Sequence, residues 1–221
     1  MTDYSQAYVS VIGLGLIRPM LNLLEELEST TATEPNEVQT GSQENGYSCA
    51  IVILAVLLLE SALNRTRFIR NDNTSEHRAA SAYFAHISSD RELAESVTEI
   101  FALRDAIAHN HLWKADVYWD DAGKLRFGSP PKLLEGYGDK RLHRVMDSDT
   151  RRSHILGLDL FPPRIWRRDA YLTLDVVFKA LEALEGMDRN YFYISPQHFM
   201  YQNKLLSLKQ IMNVLSHQDD L

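Results

Sequence analysis

The sequence predicts a mainly α-helical fold, namely a helical bundle that carries a small β-hairpin and an irregular basic insertion. Amphipathic or apolar runs of helical length recur along the chain. Two short β-like runs within residues 113–128 flank the turn signal Asp121-Ala122-Gly123. Residues 129–168 contain four prolines, few periodic runs and a surplus of basic charge. Helices with apolar stripes bury them against one another, as a bundle allows.

Helix bounds follow from periodicity and from end signals. The predicted helices span residues 3–29, 47–70, 74–87, 89–112, 169–187 and 198–217. The fourth of them has Ser88 or Ser89 as its capping residue. Residues 30–46 are polar and nearly free of large apolar groups, which predicts a flexible loop.

The chain divides into three predicted parts. Residues 1–45 form an N-terminal helix and polar loop, residues 46–187 form the main helical domain, and residues 188–221 form a C-terminal helical extension. The hairpin and the insertion occupy residues 113–168 of the main domain. A length of 221 residues fits one large domain or a core domain with an extension.

Cysteine content and hydropathy predict a soluble, cytoplasmic protein. The single cysteine, Cys49, excludes an internal disulfide framework and is compatible with a reducing cytosol. It opens an apolar run to Leu59, which is far shorter than the roughly 20 residues of a membrane-spanning helix and therefore predicts a core helix. Residues 1–27 lack the basic start and small-residue cleavage site of a signal peptide.

The net charge of −7 counts against a simple nucleic-acid-binding surface. The charge is nevertheless uneven along the chain. Residues 132–168 hold 9 Lys/Arg against 5 Asp/Glu, a local surplus of 4 positive charges. This segment is compatible with phosphate binding on one face, and a solvated surface loop is an equally open interpretation.

The most informative segment lies at the end of the fourth predicted helix. On a helical wheel at 100° per residue, Arg104 falls in the middle of the apolar stripe. That stripe is formed by Leu93, Val97, Ile100 and Ile107. A guanidinium is costly to bury without a partner. Two explanations stay open: Arg104 pairs with Glu60 or another acid, or this face opens onto a cleft or a second subunit where Arg104 meets an anion.

Asp105 and His109 follow at a spacing of four residues. At that spacing on a helix, a carboxylate can hydrogen-bond an imidazole and fix its ring orientation. A proton-transferring histidine requires such orientation. An ordinary ion pair on the helix surface is the alternative.

The segment RDAIAH, residues 104–109, resembles the Arg-x4-His signature of the HEPN superfamily, whose members include toxin, anti-phage and CRISPR-associated ribonucleases. The signature usually has asparagine after the arginine, where this chain has Asp105. The segment LLLESALN, residues 57–64, also looks like the first core helix of the superfamily. The resemblance covers roughly residues 46–187 and implies a HEPN-like helical bundle.

The resemblance further implies a metal-independent endoribonuclease, acting as a toxin or as an anti-phage or stress effector. The 2′-OH of RNA attacks the adjacent phosphorus, with His109 moving a proton, Arg104 stabilising the charged phosphorane and Asp105 holding His109. The residues expected to bind substrate are Asn110, His111, Glu60 and Asn64. RNA, a second copy of the chain that completes the active site, and an antitoxin or regulatory protein are the implied partners; no cofactor, metal or membrane is implied.

Two other functions remain open at the level of sequence. One is a non-catalytic HEPN-type module that binds nucleotides or nucleic acid through the same arginine. The other is a helical interaction protein in which Arg104 and His109 are structural. The aromatic residues Trp113, Tyr118 and Trp119 have two interpretations as well: packing in the core of the hairpin, which is favoured, or stacking on bases.

Overall fold

The computed structural model describes residues 13–34, 36–38, 43–72, 79–109, 112–134 and 140–216, and over these ranges the protein is mostly helical. The helices are α1 (Leu14–Ser29), α2 (Gln43–Ile69), α3 (Ala80–Ile87), α4 (Arg91–Ala108), α5 (Lys140–Val145), α6 (Arg167–Met187) and α7 (Leu208–Ser216). The strands are β1 (Trp113–Lys114), β2 (Val117–Trp119), β3 (Leu125–Phe127), β4 (Lys132–Leu133), β5 (His198–Tyr201) and β6 (Lys204–Ser207). The mainly α prediction is confirmed at this level.

Helix α2 lies at the centre of the bundle, where it packs against α1, α4 and α6. Apolar side chains from all four helices, and from the C-terminal elements, share one buried cluster. By length and composition alone, α2 could also cross a membrane, because an 18-residue window has a mean hydropathy of 2.1. Half of that window is buried inside the protein, as in a core helix.

Helix α4 begins later and ends earlier than the predicted span of residues 89–112. Its capping residue is Asp90, whose carboxylate accepts a hydrogen bond from the Leu93 amide at 2.9 Å. The prediction of a serine cap was therefore wrong, because Asp90 stands at the position from which a side chain reaches the first free amides. The helix stops at Ala108 rather than at residue 112, since the backbone already enters β1 at Trp113.

The predicted hairpin is confirmed as the antiparallel pair β2–β3, with Gly123 at φ 74° in its turn. The run that starts at Trp113 is divided, however, because β1 pairs with β4 instead. The polar loop before α2 also departs from expectation. Its described residues 36–38 run along β3, with the Val38 amide donating to the Leu125 carbonyl at 2.8 Å. These three residues are therefore paired with a strand, and residues 43–46, also predicted as loop, belong to α2.

The segment 129–168, predicted as an irregular insertion, is folded and partly buried over its described residues. It contains β4, α5 and a 3-10 turn at Pro162–Arg164. Glu99 of α4 is only 2% exposed and accepts hydrogen bonds from Ser153 Oγ, the Ile155 amide and the Leu156 amide, at 2.6, 2.8 and 2.9 Å. Such non-periodic anchoring has no signature in the hydropathy pattern.

The C-terminal prediction of one helix over residues 198–217 was wrong. The chain first forms the hairpin β5–β6, and only then the shorter helix α7. Gln202 and Asn203 both have positive φ, 47° and 60°, as a tight two-residue hairpin turn requires. The predicted helix starts at residues 3 and 74 lie outside the described residues.

Candidate active site at the end of helix α4

Arg104 lies in the penultimate turn of α4 with 19% of its side chain exposed. Its Nη1 donates to Glu60 Oε2 of α2 at 3.1 Å, and its Cζ lies 5.4 Å from the centre of the Phe101 ring. Its Nε is 2.8 Å from Asp105 Oδ1. That contact is ionic only, because neighbouring residues on a helix do not face each other and the buried Nε has no hydrogen-bond acceptor among the described residues.

Asp105 links α4 to α5. Its second carboxylate oxygen accepts a hydrogen bond from Arg141 Nη1 at 2.8 Å, so each oxygen lies against an arginine. Asp105 was predicted from the sequence to orient His109, and that role stays a prediction. Its carboxylate contacts both Arg104 and Arg141 and so links the two arginines.

Glu60 is the acidic partner that one of the two explanations for Arg104 called for. It is 31% exposed, so the pair lies at the margin of the bundle rather than in its interior. With Glu60 as its partner, Arg104 can lie on the apolar stripe without a second subunit. Glu60 was predicted to bind substrate, and in the structure it binds the candidate catalytic arginine. Asn64, one turn further along α2, is exposed.

His109 is the C-cap residue of α4 and directly follows the last helical residue, Ala108. It has φ −95° and ψ 1°, its amide donates to the Asp105 carbonyl at 2.9 Å, and it is exposed. The last carbonyls of a helix carry partial negative charge, which attracts cationic groups to this end. Asn110 and His111, both predicted to bind substrate, lie outside the described residues.

Arg104 and the three charged groups that it is linked to have no net charge. Arg104 and Arg141 carry two positive charges, and Glu60 and Asp105 carry two negative ones. Among the described residues, Arg104 makes a hydrogen bond through Nη1 alone, while its Nε has only the ionic contact with Asp105.

Arg141 is the member of this cluster that the sequence did not single out. It belongs to α5, whose residues Lys140, His143 and Arg144 are exposed and basic. The signal was present as the local surplus of positive charge in residues 132–168. That surplus cannot show which of nine basic residues reaches α4, because the contact joins residues 36 positions apart.

The three aromatic residues of this region, Trp113, Tyr118 and Trp119, differ in their burial. The Trp113 ring packs against Phe161, with 5.6 Å between ring centres, which confirms core packing for this residue. Tyr118 and Trp119 are exposed instead, Trp119 to 70%, so core packing was the wrong interpretation for both. Strand β2 turns all three of its side chains towards solvent.

Within the described ranges, no group of three or more His, Cys, Asp or Glu side chains is arranged to hold a metal ion. The charged and imidazole side chains described at the end of α4 are those of two arginines, two carboxylates and His109. Compared with known proteins, the chain matches no family model, no curated protein and no solved structure.

Proposed function

We propose that the protein is a HEPN-type endoribonuclease that cleaves RNA without a metal ion, with Arg104 and His109 as its catalytic residues. The observation that carries the proposal is that both residues lie near the C-terminal end of α4. Arg104 is held by two carboxylates in a partly exposed position, and His109 is exposed at the C-terminal end of the same helix.

The proposed reaction begins with attack of a ribose 2′-OH on the adjacent phosphorus. The P–O bond to the 5′ oxygen breaks, which leaves a 2′,3′-cyclic phosphate and a 5′-hydroxyl. His109 takes part in the proton transfer, either removing the 2′-OH proton or delivering one to the leaving oxygen. Arg104 stabilises the negative charge that develops on the phosphorane oxygens. Asp105 keeps Arg104 and Arg141 together.

The basic residues of α5 extend this site. Because Arg141 is joined to Asp105, the exposed Lys140 and Arg144 lie on the helix that adjoins the proposed reaction centre. Phosphates on either side of the cleaved bond would be attracted to such a surface. In the same proposal, two copies of the chain assemble with their α4 ends in proximity, and the enzyme serves as a toxin or defence effector.

A direct test is cleavage of single-stranded RNA by the purified protein in the presence of EDTA. The expected products carry 2′,3′-cyclic phosphate and 5′-hydroxyl ends. A substrate with a single 2′-deoxy substitution at the cleaved position is the matched control, and it should remain intact there. Products with 3′-hydroxyl and 5′-phosphate ends, or loss of activity on chelation, would contradict the mechanism.

A second candidate function is favoured by the Arg104–Glu60 contact. An arginine on a core-facing stripe that is neutralised by an acid from the neighbouring helix is also what a structural ion pair looks like. In that case the protein would be a helical interaction protein. The two candidates differ in what Arg104 contributes to folding.

A further inference from the structure

A second cationic feature lies away from Glu60, Arg104 and His109, between the end of β3 and the segment that follows α5. It is a cleft of about 350 Å³. Phe127 and Pro130 form its apolar wall, Ser129 and Thr150 add hydroxyl groups, and Arg152 and Arg164 supply positive charge. Its size is at the lower end of the range for small-molecule sites.

The two arginines share one carboxylate. Arg164 Nε lies 3.0 Å from Asp159 Oδ2, whereas Arg152 Nε is 3.8 Å from the same oxygen. Asp159 is buried behind them, so the pair presents two positive charges against one negative charge that faces away from solvent. Among the described residues, no hydrogen bond or ion pair engages the terminal nitrogens of either guanidinium.

The other acids near the arginines, Glu34 and Glu37, are paired with Lys124 and Arg126, and Arg126 also binds Asp120. Glu34 and Glu37 adjoin Arg152 and Arg164 in a neighbouring depression, whose lining does not include Phe127 or Pro130. Both Glu34 oxygens accept hydrogen bonds, from Lys124 at 2.8 Å and from Arg126 at 2.5 Å. Glu37 likewise accepts one from Lys124, at 3.2 Å. The charged side chains that line the cleft itself are the two arginines.

We propose that this cleft binds a phosphate monoester, with the phosphate on Arg152 and Arg164 and the organic part against Phe127 and Pro130. Paired guanidinium groups match the planar, two-point hydrogen bonding that phosphate oxygens accept. The phosphate can belong to a free nucleotide or to the 5′ end of an oligonucleotide. The proposal does not depend on Arg104 or His109.

The test is calorimetric titration with adenosine monophosphate, with adenosine and inorganic phosphate as comparison ligands. Arg152→Gln is the informative variant, because this side chain is 39% exposed and only loosely paired, so its loss should leave folding intact. Arg91→Gln, on the exposed first turn of α4, is the matched control. We expect one bound adenosine monophosphate per chain, no binding of adenosine, at least tenfold weaker binding in Arg152→Gln and unchanged binding in Arg91→Gln.

A 5′-phosphorylated RNA trinucleotide distinguishes the two sources. If it displaces adenosine monophosphate and its 5′-hydroxyl form does not, the cleft takes an RNA end; if neither displaces the nucleotide, it takes free nucleotides. His109→Ala should bind adenosine monophosphate as the wild type does, whether or not RNA cleavage is found. The proposal is overturned by the absence of saturable binding up to about 10 mM, by equal binding in Arg152→Gln and wild type, or by binding that requires His109.

Discussion

Replacing Arg104 by alanine separates the two functions proposed for the end of α4. The side chain is 19% exposed and makes one hydrogen-bonded ion pair, with Glu60, itself 31% exposed. Its contact with Asp105 lacks hydrogen-bond geometry, and Asp105 retains Arg141 when Arg104 is removed. The substitution therefore leaves Glu60 partly hydrated and Asp105 still paired.

The expected cost to folding follows from that exposure. An exposed ion pair contributes about 0–1 kcal/mol, and breaking a fully buried one costs about 3–5 kcal/mol. A pair at the margin of the bundle should fall between them, at about 1–2 kcal/mol, which lowers Tm by roughly 2–8 °C in a chain of this size. Loss of a charge-stabilising donor from an active site lowers the cleavage rate by about 100-fold or more.

The assay is thermal unfolding and RNA cleavage measured on the same samples of wild type, Arg104→Ala, Arg104→Lys and Arg91→Ala. The lysine variant keeps the charge but loses the planar fork, so a catalytic role predicts a stable and poorly active protein. Arg91→Ala, which breaks an exposed ion pair on the same helix, should match the wild type in both measurements. A stability loss of about 3–5 kcal/mol in Arg104→Ala, with activity falling only in proportion to unfolding, would refute the reasoning and support a structural ion pair.

Three further predictions concern the fold and the assembly. Glu99→Ala leaves three donors without their acceptor and should lower the free energy of unfolding, measured with denaturant, by about 3 kcal/mol. Glu95→Ala, one turn earlier, should lower it by less than about 0.5 kcal/mol. Equal losses in the two variants would contradict the anchoring role of Glu99. Burial raises the pKa of Asp169 to about 7, so the folded state retains a proton that the unfolded state releases near pH 4. The free energy of unfolding of wild type relative to Asp169→Asn should therefore fall as pH rises from about 4 to 7. A pH-independent difference would exclude this. Light scattering should give a dimer at micromolar concentration, and an active monomer would rule out the composite site.

The helical bundle could be predicted from the sequence because its helices carry continuous apolar stripes. The errors lie where structure depends on turn backbone or on side-chain hydrogen bonds rather than on periodicity. The C-terminal hairpin was taken for part of a helix because residues 198–217 contain enough apolar residues for either pattern, and the turn depends on left-handed backbone at Gln202 and Asn203. The insertion was taken for irregular chain because Glu99 anchors it from a distant helix.

The candidate site was predicted only in part for the same reason. Helical spacing was enough to place Arg104 and Asp105 on one helix, and Glu60 or another acid was one of the two explanations for Arg104. It could not predict that α4 ends at Ala108, which puts His109 at the helix end rather than within a continuing helix. Nor could it predict Arg141, since that contact is set by how α5 packs on α4.

The most direct test of the central claim is the single-turnover rate of RNA cleavage by His109→Ala. His198→Ala is the matched control, since His198 is also exposed and lies on β5 in the C-terminal hairpin. If His109 transfers a proton during cleavage, the rate should fall at least 100-fold in His109→Ala and stay within about twofold of wild type in His198→Ala, with both variants folded. Cleavage by His109→Ala at the wild-type rate, or wild-type protein that does not cleave RNA at all, would contradict the account.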